Sequence, residues 1–163
     1  MSSKTVTKDD SSFNKKLYYS SFATLVFIAV SLPQVYKATG SGVNYATSKT
    51  VGVEFSGKTD AGCPTSEGKF LHTAVFVVLL YFIMRLVKRY SNSDNKLSNG
   101  VMWKYAFYSG LIFYLVSSTD AYNLTSSLGT TTDGCPNAKG IIAHAVAFLA
   151  VTVLVMYFPK DDC

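Results

Sequence analysis

Four stretches of this chain, residues 17–36, 70–86, 102–124 and 141–158, are apolar for the length that a lipid bilayer demands. A bilayer core of about 30 Å is crossed by about 20 residues of helix rising about 1.5 Å each. In lipid the backbone must satisfy its own hydrogen bonds, so only helices and closed barrels cross. Four spans are too few for a barrel. The competing reading is a greasy soluble bundle, and the second and fourth stretches speak against it because they are apolar on nearly every face. Composition agrees: charged residues are 15% of the chain and apolar ones 48%, against about 25% charge in soluble domains.

The expected fold is therefore all-α, with four transmembrane helices. Residues 1–16 read as a polar N-terminal tail, 17–90 as a first two-helix unit with a long loop at 37–69, and 91–102 as a polar connection. Residues 103–158 form a second two-helix unit, with a shorter loop at 125–140, and 159–163 a polar C-terminal tail. Basic residues before an apolar stretch also mark signal peptides, but no small-x-small cleavage pattern follows, and the segment is expected to be retained.

The net charge is +5, yet Lys and Arg gather at the ends of the apolar stretches and form no basic run. This is a membrane pattern, and direct nucleic-acid binding is not expected. Lys4, Lys8, Lys15, Lys16, Arg85, Lys88, Arg89, Lys96, Lys104 and Lys160 fall on one side of a four-span topology, against Lys37, Lys49, Lys58, Lys69 and Lys139 on the other. The excess places both termini on the cytoplasm-facing side.

The chain also repeats itself. GCPTSEGKFLHTAVF at 62–76 lies over GCPNAKGIIAHAVAF at 134–148, an offset of 72. Gly62, Cys63, Pro64, Gly68, His72 and Phe76 meet Gly134, Cys135, Pro136, Gly140, His144 and Phe148. The preceding helices align more loosely, LVFIAVSLPQVYKATGS at 25–41 over LIFYLVSSTDAYNLTSS at 111–127, an offset of 86. The four helices thus read as a tandem repeat of two helix-hairpin units in one orientation, unlike the inverted repeats of many transporters.

Four readings of the repeated Cys and His remain open. Cys63 and Cys135 can form a disulfide if the fold brings them within bonding reach. Two Cys and two His suit zinc in number, but C-x8-H is not a finger spacing, and no metal is expected. Thiol redox chemistry wants C-x-x-C, which is absent. The fourth reading is structural. Pro64 and Pro136 open a helix where no amide partner is needed. Gly68 with His72, and Gly140 with His144, then share a face at i, i+4. Glycine lets a neighbouring helix approach, and the histidine donates a hydrogen bond to it. Asp120 is the one acid within an apolar stretch; near the outer end, it reads as exposed or paired with Lys37 rather than as a proton relay.

SLPQVYKATGSGV, followed by GCPTSEGKFLHTAVFVVLLYF, resembles the small multi-span proteins of large icosahedral DNA viruses, the algal-virus and giant-virus group. Their pattern is a helix ending in Ser-x-Pro-x-x-Tyr-Lys, then a G-C-P-T turn and a helix with an early His. It covers roughly residues 17–90, and more loosely 103–158, where Ser118-Thr-Asp120 and Asn123 depart from it. The resemblance implies a minor capsid component without enzymatic activity or cofactor. Its partners would be the lipid bilayer, major and minor capsid proteins and other copies of itself. Its place would be the internal virion membrane, derived from host endoplasmic reticulum. A small oligomeric channel or transporter is the alternative, drawn from the repeats, His72, His144 and Asp120. No phosphate loop, carboxylate pair or nucleophile–base pattern points to an enzyme.

Overall fold

Proline at position 33 decides where the first apolar stretch stops being straight. It has no N–H to donate, and its ring disfavours helical geometry in the residue before it. In the computed structural model, which describes residues 6–50, 65–90, 98–132 and 135–157, the break falls at Leu32. Helix α1 runs Val6–Ser31 and α2 runs Pro33–Thr50. The chain bends by 68° between Lys16–Ser31 and Pro33–Val43. Two expectations are corrected here. Residues 6–16 continue α1 rather than forming a tail, and residues 37–50 of the expected loop are helical.

The remaining elements are α3 (Ser66–Tyr90), α4 (Asn99–Val116), α5 (Thr119–Leu124), a 3-10 turn (Ser126–Leu128), strands β1 (Thr131–Thr132) and β2 (Cys135–Pro136), and α6 (Ala138–Val155). The third apolar stretch also breaks, without proline: Ser118 turns extended, and its hydroxyl accepts from the Ala121 amide at 3.1 Å, capping α5. The expected loop at 125–140 holds an antiparallel pairing of Thr131 with Pro136 and Thr132 with Cys135. Pro136 is not the first helical residue. Asn137 stands between it and α6 as the N-cap, accepting from the Gly140 amide at 2.8 Å. Thr65 does the same for α3, accepting from the Gly68 amide at 3.1 Å. The side-chain oxygen of each cap satisfies an amide that the helix cannot.

Helices α1, α3, α4 and α6 form one bundle. Each of α1 and α4 packs against both α3 and α6. At its centre each helix contributes one phenylalanine, Phe27, Phe76, Phe113 and Phe148, none exposed to solvent. Phe76 stacks on Phe113 with ring centroids 4.7 Å apart, and Phe27 lies 4.9 Å from Phe148. Phe27–Phe113 and Phe76–Phe148 meet edge to face at 5.3 and 5.8 Å. These are the geometries aromatic pairs favour.

The outer surface carries many large apolar side chains. Phe70, Leu79, Phe82 and Leu86 on α3, Phe107, Leu111 and Leu115 on α4, and Ile142, Val146 and Leu154 on α6 all face outward. A water-soluble bundle would turn such residues inward. Two helices, α3 and α6, are long and apolar enough by themselves to cross a membrane, and the bent α1–α2 pair adds a third if taken as one span. Helix α4 has 18 residues but carries Asn99, Lys104 and three tyrosines, which lower its mean hydropathy.

Candidate functional site

The break after α1 leaves carbonyls at the helix end without helical amide partners. His72, one and a half turns into α3, fills that vacancy. Its Nδ1 lies 3.2 Å from the Val30 carbonyl. A carbonyl only accepts, so Nδ1 carries the proton; in the neutral ring Nε2 is then an acceptor. The Thr39 hydroxyl lies 2.6 Å from Nε2 and 2.8 Å from the Val35 carbonyl. One face of the imidazole is covered by Tyr36, stacked at 3.5 Å between centroids and 16° between planes. His72 thus joins α1, α2 and α3.

The same set of contacts recurs around His144 in α6. Its Nδ1 donates to the Val116 carbonyl, the last of α4, at 2.7 Å. The Thr125 hydroxyl lies 2.9 Å from its Nε2 and 3.0 Å from the Thr130 hydroxyl. Tyr122 stacks on the ring at 3.9 Å and 15°. Val30, Tyr36 and Thr39 stand 86 residues before Val116, Tyr122 and Thr125, while the histidines are 72 apart. Both histidines and both tyrosines are buried.

The repeated glycines act close to these clamps. Gly68 and Gly140 are both buried. A Cβ at Gly140 would collide with the Thr130 carbonyl oxygen. What approaches Gly140 is therefore the backbone entering β1, where a neighbouring helix was expected. Asp120 is exposed in the first turn of α5, an end that favours an acid. Beside it, the ammonium of buried Lys69 donates to the Thr119 hydroxyl at 2.7 Å. Cys135 is disulfide-bonded. Gly62, Cys63, Pro64, Gly134 and Cys163 lie outside the described residues.

Sequence reasoning singled out the histidines but not their partners. Tyr36 with Tyr122, Thr39 with Thr125, Val30 with Val116 and Phe27 with Phe113 are identities of the looser 86-residue alignment. That alignment held the signal. Chemically, the arrangement fastens helices. Both nitrogens of each imidazole lie within hydrogen-bond distance of protein groups. Among the described residues, no group of three or more His, Cys, Asp or Glu is placed to hold a metal ion. No protein-family model, curated protein or solved structure matches the chain.

Proposed function

We propose that this chain is a non-enzymatic structural membrane protein: two equivalent helix-pair units forming a four-span bundle that anchors a protein shell to an internal virion membrane. The observation that supports the structural reading is the phenylalanine quartet. It fills the axis of the bundle, so the oligomeric channel of the alternative reading would have to run between copies of the chain. Supporting α4 as the fourth span, its 18 residues equal those of α6, its outward side chains beyond the first turn are aliphatic or aromatic, and Lys104 lies in its first turns, within reach of the headgroups. The shell and the virion rest on the resemblance of residues 17–90 to virion membrane proteins.

Cys63 is the partner we assign to Cys135. It precedes Thr65, the cap of α3, by two residues, and α3 and α6 both start at the end where the histidine clamps lie. Cys163 comes after α6 in the chain, and that helix is about 27 Å long. The bond would tie the two units together on one membrane side.

Purified particles and planar bilayers test the reading. The chain should co-purify with shell protein, cross-link to it, and pass no current when reconstituted. A conductance that disappears in His72→Ala or Asp120→Asn would overturn it in favour of a channel.

A further inference from the structure

The two clamps match as far as Thr39 and Thr125, and then the units diverge. After Thr125 the chain turns at once into the 3-10 segment and the β1–β2 pairing, whereas α2 continues to Thr50. One side of α2 is spent on the bundle: Tyr36 is buried and Thr39 and Val43 are half-buried. The opposite side presents Lys37, Ser41, Tyr45 and Lys49, four residues apart and all exposed. Lys49 donates to the Tyr45 hydroxyl at 2.9 Å. A Cβ at Gly40 or Gly42 would meet no atom within 4 Å.

From this we infer that α2 is an interfacial helix, with its Lys37–Ser41–Tyr45–Lys49 stripe lying among the phospholipid headgroups of the leaflet at the clamp end. The inference rests on the bundle crossing a bilayer. Three observations lead to it. First, the 68° bend carries Pro33–Val43 far from the direction of Lys16–Ser31, so with Lys16–Ser31 along the membrane normal, α2 runs closer to the membrane plane than to that normal. Second, the depth is set by the stack of Tyr36 on His72. Phe70, two residues further out on α3, is 72% exposed. An apolar ring so exposed marks the level as still within the bilayer or its interface. Third, α2 has Lys37 and Lys49 but no acid. Lysine and tyrosine suit the headgroup zone, where phosphate takes the charge and the ring lies in the amphipathic layer. Its Ser, Asn and Lys content does not suit the hydrocarbon core.

Depth-dependent tryptophan quenching tests this in vesicles of phosphatidylcholine and phosphatidylglycerol in equal parts. In a Trp103→Phe background, Tyr45→Trp places the probe on the stripe, Ser41→Trp repeats the reading one turn nearer the bundle, and Leu79→Trp reports the middle of α3. Both stripe variants should be quenched more by a nitroxide at the headgroup than by one near the acyl-chain end, with Leu79→Trp showing the reverse. Stripe probes quenched by aqueous iodide but by neither lipid label would overturn the inference, leaving α2 in water and free for a shell protein. Stronger quenching by the chain-end label would overturn it too, making α2 the second half of a broken span. If Leu79→Trp escapes the chain-end label, the membrane reading itself fails.

Discussion

At the scale of single residues, each histidine satisfies a carbonyl that a helix break has orphaned, and holds a tyrosine and a threonine with it. Removing the imidazole leaves that carbonyl buried and costs the stack. His72→Ala and His144→Ala should each lower stability by about 1–3 kcal/mol, by similar amounts, measured as unfolding midpoints in detergent. A cost at one site only would argue against equivalent roles. The glycines divide differently. Gly140→Ala drives a methyl into the Thr130 backbone and should cost about 1–3 kcal/mol. Gly42→Ala enters open space in a helix and should stabilise by about 0.5–1 kcal/mol; the same melts compare them.

At the scale of elements, the two helix breaks arise from different chemistry. Pro33 ends α1 by removing a donor, and Ser118 starts α5 by supplying an acceptor to the Ala121 amide. Thr65 and Asn137 cap α3 and α6 in the same way, so the identity of the cap matters less than its oxygen. The assigned Cys63–Cys135 bond would close a loop of about 70 residues, which in the chain-entropy model stabilises by about 4 kcal/mol, less where the unfolded chain keeps its helices in lipid. Reduction, or Cys63→Ser, should slow migration on a denaturing gel and lower the unfolding midpoint. An unchanged gel position in Cys63→Ser but a shift in Cys163→Ser would reassign the partner.

At the scale of the whole molecule, the bundle is apolar inside and out, and only lipid makes the outside favourable. A charge on the outward face separates this from a soluble bundle. Leu79→Arg, at an outward position midway along α3, should weaken membrane insertion by about 3 kcal/mol, read as the inserted fraction in microsomes. In a soluble bundle the same change would leave folding intact and raise solubility. The apolar exterior fits a protein whose helices lie in a membrane.

Much of this was legible in the residues alone. Apolar runs of bilayer length determined helices, because lipid allows little else, and the 72-residue offset identified Gly68, His72, Gly140 and His144 as a repeated set. Breaks inside the apolar runs were less legible. Pro33 signalled one, but Ser118 signals a cap only once its hydroxyl has an amide to meet. The polar residues of α2 looked like loop because their helix is held by long-range contacts, Tyr36 and Thr39 on His72, and not by local propensity. The partners of the histidines were decided by tertiary structure for the same reason. A hydrogen bond between Val30 and His72, 42 residues apart, exists only when a bent helix and a straight one are packed together.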